Sequence, residues 1–159
     1  MPRIQTKCFG EVDYSPDAVF RFPYGMPGFE AEHAFLFLEQ PGTHPLIFMQ
    51  SVCSPDVCFI LLPVLAADPD YKLRLAEEDL AALHLPTGGQ PRIGKDVLCG
   101  VLVCAGSEER PHPTANMLAP IVVNLKRQIG IQAIQTQAEY SYRHPLIAQD
   151  PSPELLACS

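Results

Sequence analysis

Two asparagines and two knots of carboxylates are the residues whose types and spacing could do chemistry in this chain. Asn116 and Asn124 are separated by an even number of positions, so a continuous strand presents both amides on one face. Amides on an exposed strand edge can hydrogen-bond an incoming chain. The same amides can equally cap loop backbone at the strand ends. Pro120 lies between them and has no N–H to give a ladder, which makes this strand an edge or a bulged one. Asp68-Pro69-Asp70 beside Tyr71, and Glu77-Glu78-Asp79, could serve acid–base chemistry or a hard cation. A loop and a helix start explain them more simply, because carboxylates favour both.

No catalytic signature stands beside these groups. The chain has no G-x-S-x-G elbow, no phosphate-cradling glycine loop and no H-E-x-x-H. The five histidines sit apart, and three of them precede proline, which favours extended loop geometry. Among the six cysteines, Cys53/Cys58 and Cys99/Cys104 have the loosest of zinc spacings. An odd offset of five places Cys99 and Cys104 on opposite faces of a regular strand, so they cannot share one metal. Buried free thiols are the expected state, with raised pKa values that make poor nucleophiles. The expectation is a protein without catalytic residues, metal or cofactor.

The elements that would position these groups are short. At 159 residues, with 47% hydrophobic and 18% charged residues, the chain suits one globular domain. Strands are predicted over residues 4–12, 19–22, 34–38, 46–52, 57–62, 97–104, 121–125 and 131–136. There β-branched, aromatic and alternating residues are punctuated by Gly, Pro, Asp and Ser. One short helix is predicted over 76–85, with acids in its first turn, Leu80 and Leu83 on one face, and Pro86 to stop it. Ala76 stands where a capping Ser, Thr or Asp would be expected. Many short strands and one helix give an all-β fold, a small antiparallel β-barrel-like or sandwich domain over residues 1–147. Residues 148–159, with Pro151 and Pro153, read as a loosely held tail.

A net charge of −7 and scattered basic residues argue against a nucleic-acid surface, Lys126-Arg127 being the nearest thing to a cluster. The longest apolar runs are too short for a membrane helix, and no secretory leader is evident, so a cytoplasmic protein is expected.

Two stretches narrow the reading further. Phe22-Pro23-Tyr24-Gly25-Met26-Pro27-Gly28-Phe29 leaves a strand edge through Pro27-Gly28, the pair a type II turn wants. Asn116-Met117-Leu118-Ala119-Pro120-Ile121-Val122-Val123-Asn124 lies near the other end. Together they resemble the flagellar assembly factor FliW family, whose members carry F-x-x-G-x-P-G-F early and N-L-x-A-P-I-x-x-N late. Gln50-Ser51, Phe59 to Pro63, Asp70-Tyr71, Thr114-Ala115 and Tyr140 to Leu146 also fall in the family order. Leu62 departs from it, since the family often has a polar residue before the matching proline.

The resemblance implies a non-enzymatic β-barrel-like protein that is a monomer when free. It implies that the protein binds flagellin in the cytoplasm and antagonises CsrA, a dimeric RNA-binding repressor of flagellin translation. Candidate partner contacts are Asn116, Asn124, Gln50, Asp70, Tyr71, Glu77, Glu78 and Asp79, with the acidic groups facing CsrA and Tyr71 as an anchor if exposed. The alternative is a small-molecule-binding β-barrel, which needs an apolar lumen with a few convergent polar groups.

Overall fold

The computed structural model describes residues 2–7, 9–109, 111–136 and 139–146, so the expected tail over 148–159 lies outside the described residues. The described residues form eleven strands, two short α-helices and two single-turn 3-10 helices. An N-terminal hairpin pairs β1 (Arg3–Thr6) with β2 (Gly10–Asp13), where a single strand over 4–12 is predicted. The turn is made by the Thr6 hydroxyl, which donates to Gly10 O at 2.8 Å and accepts from Phe9 N–H at 2.8 Å.

The main sheet runs through β3 (Phe20–Arg21), β4 (Ala34–Leu38), β5 (Ile47–Ser51), β6 (Cys58–Pro63) and β7 (Val97–Cys104), then β9 (Ile121–Asn124) and β10 (Ile129–Gln132). It closes on itself, because β7 pairs with β6 along one edge and with β9 along the other, while β10 pairs with β3. The result is a seven-strand barrel. One seam is parallel and pairs a single residue of each strand, Arg21 with Ile129. The Gln128 side chain staples it, donating to Val19 O at 3.1 Å and to Asp17 O at 2.5 Å. Two-residue strands β8 (Thr114–Ala115) and β11 (His144–Pro145) extend the sheet beyond the end of β7. Both are too short for any periodicity to announce. α1 (Val64–Ala67) follows β6 directly and is a second, unanticipated helix; α2 (Glu77–Ala82) is the expected one.

Alternation along the strands sorts the apolar residues into a lumen and two outer layers. The lumen takes Phe35, Ile47, Met49, Leu61, Ile121 and Val123, with Phe22 and Met26 beside them. Outside β7, β9 and β10, a second cluster of Val97, Cys99, Val101, Val122, Ile129 and Ile131 is covered by Tyr71, Leu73, Leu75, Leu80 and Leu83. Outside β5 and β6, Phe48 and Ile60 are covered by Phe9, whose ring meets Phe48 edge-on at 5.0 Å. The lumen is filled by side chains. Phe22, Phe35, Met49 and Leu61 are all fully buried in it, which removes the space that a small-molecule-binding barrel requires.

Geometry requires glycine at several positions, Gly28 and Gly130 among them. Pro27-Gly28 closes a tight turn in which Phe29 N–H donates to Met26 O at 2.6 Å, and Gly28 has a φ of +82°. This is the type II arrangement the dipeptide predicts. At Gly130 the constraint is space, since a Cβ there would lie 2.5 Å from the Phe22 ring. That ring is itself held between Phe35 at 5.2 Å and Phe37 at 6.4 Å. Gly130→Ala should therefore overpack the lumen and lower the unfolding free energy by about 1–3 kcal/mol. Urea titration checks this, and an unchanged midpoint would show that Phe22 has room to move.

Candidate functional site

The chain between the two helices crosses the outer face of β7, β9 and β10 as an extended strap. Tyr71, Leu73 and Leu75 point inward and Lys72, Arg74 and Ala76 outward, yet the strap joins no ladder. Three of its N–H groups are satisfied by side-chain acceptors instead. Lys72 N–H donates to Tyr140 Oη at 2.9 Å, Arg74 N–H to Gln135 Oε1 at 2.8 Å and Leu75 N–H to Gln90 Oε1 at 2.7 Å. Gln90 Nε2 returns a bond to Leu75 O at 3.1 Å. The strap delivers α2, whose Ala76 start makes no side-chain capping bond, as the sequence implies.

Several expected contact residues prove to be scaffold. Tyr71 is 5% exposed, stacks on Tyr140 at 4.2 Å and donates its hydroxyl to Met117 O at 2.7 Å. It anchors the strap and offers a partner nothing. Gln50 is wholly buried, its amide donating to Ser51 O, Ser54 O and Pro55 O in the β5–β6 turn. The Glu32 carboxylate braces the same turn, accepting from the hydroxyls of Ser51 and Ser54. Leu62 is half-buried between the two outer clusters, which accounts for an apolar residue at that position.

The Asn116–Asn124 segment is not an edge. β9 has β7 on one side and β10 on the other, and it is the bulge that Pro120 occupies. Along β7 the pairing passes from Val103↔Ala115 to Gly100↔Ile121, so the partner chain inserts three extra residues. Asn116 Oδ1 holds that insertion by accepting from Leu118 N–H at 3.2 Å and Ala119 N–H at 3.1 Å. Asn124 Oδ1 caps the β9–β10 turn, accepting from Lys126 N–H at 3.1 Å and Arg127 N–H at 3.3 Å. Its Nδ2 donates to Leu83 O at 2.7 Å, tying the end of α2 to the barrel. Both amide oxygens cap backbone, and the Asn124 nitrogen does so too, in line with the capping reading of the sequence.

The acids remain on the surface. Asp68 Oδ1 accepts from Asp70 N–H at 2.9 Å in a local turn, leaving the Asp70 carboxylate exposed. Glu77 and Glu78 are exposed and Asp79 half-buried. Partial burial, reinforced by Glu78, raises the Asp79 pKa above its ordinary value. Glu78 and Asp79 line a cleft of about 410 Å³ together with Arg74, Gln90, Gln132 and Ile134. Ile134 is 64% exposed and shares the cleft with the carboxylates of Glu78 and Asp79 and the guanidinium of Arg74. Across α2, a larger cleft of about 600 Å³ has the opposite character, with Arg92, Lys95, Lys126 and Arg127 around it. The sequence shows only the Lys126-Arg127 half of that gathering, because Arg92 and Lys95 arrive through the fold. Among the described residues no three His, Cys, Asp or Glu side chains group as a metal site, and no helix is long and apolar enough to cross a membrane.

Comparison with known proteins agrees with this architecture from end to end. The family model described as FliW protein matches residues 3–146. The chain belongs to the FliW family. The flagellar assembly factor FliW of Desulfitobacterium hafniense is 34% identical over 152 residues, covering 96% of this chain and 95% of that protein. Its counterpart in Geobacillus kaustophilus is 33% identical over 147 residues, 92% of this chain and 96% of that one. A crystal structure of the flagellar assembly factor FliW superposes with a TM-score of 0.80 at 29% identity, covering 94% of this chain and all of that one. The family relationship makes this chain a flagellar assembly factor built on a closed all-β barrel.

Among the described residues the thiols differ from expectation, since Cys53 and Cys104 are exposed, Cys58 is half-buried and Cys99 is buried. The outward Cys104 and inward Cys99 follow from their odd spacing on β7. Burial pushes the Cys99 thiol up to about 12 from 9.0, and burial likewise raises Tyr71. Both groups are held protonated in the folded state. Their contribution to stability is therefore complete below the unfolded pKa and is lost as pH rises through 9 toward 12 for Cys99. Stability should fall between neutral pH and about pH 10.5, and Cys99→Val should flatten that decline. At neutral pH a disulfide reagent should modify Cys53 and Cys104 in the native protein and Cys99 only on unfolding. Rapid native modification of Cys99 would show that the strap does not seal this layer.

Proposed function

We propose that this flagellar assembly factor binds flagellin in the cytoplasm and antagonises the RNA-binding repressor CsrA, coupling flagellin synthesis to secretion. The observation that carries the proposal is the acid-rimmed cleft at the start of α2, in a chain that belongs to the FliW family. A repressor that grips RNA must offer Lys and Arg. Glu77, Glu78 and Asp79 present carboxylates beside the exposed Ile134, a pairing of charged rim and apolar contact that suits a basic partner. The net charge of −7 raises encounter rates with such a partner and disfavours direct binding of nucleic acid. Asp70 extends the acidic surface. The filled lumen leaves a protein surface, not an internal ligand site, as the working part, and the free protein acts as a monomer.

Mixing the purified chain with cognate flagellin and, separately, with CsrA on a sizing column should give a co-eluting species in each case. Failure with both partners would overturn the proposal. Replacing Glu77, Glu78 and Asp79 together with Lys should slow association with CsrA about tenfold or more at low salt and reduce its salt dependence. Flagellin binding should change less. Biosensor rates at two salt concentrations test this, and unchanged CsrA association would reduce the acidic helix start to a solvated face.

A further inference from the structure

The cleft on the far side of α2 has no role in the reading above. It is bounded by residues 84–92, by the loop carrying Lys95 and Asp96, and by the β9–β10 turn. Four of the chain's 11 Lys and Arg residues converge there, in a protein with 18 carboxylate side chains and a net charge of −7. The one acid among them, Asp96, is already committed to Arg92. It accepts from Arg92 N–H at 2.7 Å and from Arg92 Nε at 3.2 Å. Lys95, Lys126 and Arg127 are exposed and form no ion pair with any described residue.

Between the cations lies apolar surface. Leu125, 47% exposed, sits at the tip of the β9–β10 turn, facing a wall that includes Leu85 and Pro86. The tip is braced, because Asn124 Oδ1 accepts from the backbone N–H groups of both Lys126 and Arg127. Its shape is thus set before any ligand arrives, which lowers the entropy lost on binding. The aromatic ring in the lining is the imidazole of His84, and no Phe, Tyr or Trp joins it to stack a run of nucleobases.

We propose that this basic cleft docks an acidic, extended segment of a partner protein, with carboxylates on Lys95, Lys126 and Arg127 and one apolar side chain against Leu125. Charge complementarity identifies the occupant. The net-acidic protein disfavours such a segment on average, whereas this cleft gathers four cations against one already paired acid. The acidic and basic clefts share Gln90 as a common wall. The protein therefore carries two docking surfaces of opposite sign on either side of one helix, and the basic one stands whether or not the acidic one receives CsrA.

Fluorescence anisotropy with a labelled eight-residue peptide of alternating Glu and Leu tests this on the full chain. The peptide should bind about tenfold or more tightly than its Gln–Leu analogue, with affinity falling as salt rises. Lys126→Glu with Arg127→Glu should remove at least tenfold of that affinity while leaving the melting temperature near wild type, because the capping bonds use backbone N–H groups. Lys95→Glu, on a separate loop, should weaken binding independently and serves if the double variant fails to fold. Equal binding of the Gln–Leu analogue, or undiminished binding by both variants, would overturn the proposal. So would no binding by wild type up to about 1 mM peptide. Tighter binding of a single-stranded RNA oligonucleotide than of the acidic peptide would overturn it in favour of a nucleic-acid site.

Discussion

A sheet closes into a barrel only if its ends pair with each other, and here β7 and β9 make that pairing. Along one edge β7 meets β6. Along the other it meets β9 through residues 97–100 and β8 through residues 103–104. These last two partners belong to one stretch of chain in different registers. The three residues inserted between them must be absorbed without stranding backbone groups, because an unpaired buried N–H or C=O costs about 1–3 kcal/mol. Asn116 absorbs part of that by accepting two N–H groups of the insertion, and Pro120 contributes by having none to satisfy. The family's late asparagine–proline element thus matters first as the device that lets the barrel shut.

What lies outside the barrel follows from that closure. Once β9 is fixed between β7 and β10, Asn124 stands at its end, where one amide can cap the next turn and reach Leu83 O. The strap is then held over the outer cluster by Tyr71 and by glutamine and tyrosine side chains in place of a strand ladder. This arrangement leaves the outward side chains of α2 free of structural duty. Acids on one flank and cations beyond the other are presented by elements whose positions are decided by buried amides.

Much of this was legible in the sequence, and the exceptions share a cause. β4 and β7 fall where alternation and β-branching place them, α2 begins at Glu77 as its acids suggest, and Pro27-Gly28 makes the turn its residue types require. Asn116 and Asn124 were harder, because residue pattern says that a segment is extended but not how many neighbours it has. The partner of β9 is a strand about twenty residues away in sequence, joined through a bulge. Tyr71, an aromatic beside Asp68 and Asp70, suits a surface anchor only if exposed, and it is 5% exposed. Its alternation with Leu73 and Leu75 was visible, but the acceptors that replace a ladder come from Gln90, Gln135 and Tyr140, all distant. The basic cleft was hidden for the same reason, as Arg92 and Lys95 meet Lys126 and Arg127 only in the fold.

The central claim is that the buried Asn124 and the half-buried Asn116 position the working surface through their backbone bonds. Native-state hydrogen exchange on Asn124→Ala tests it most directly, resolved amide by amide. The account predicts lost protection at Leu80 and Leu83 of the α2 region and at Lys126 and Arg127 of the turn. Strands β4 to β6 should keep theirs, since the lumen does not depend on this side chain. Unchanged exchange at α2, or a uniform loss across the whole barrel, would contradict it.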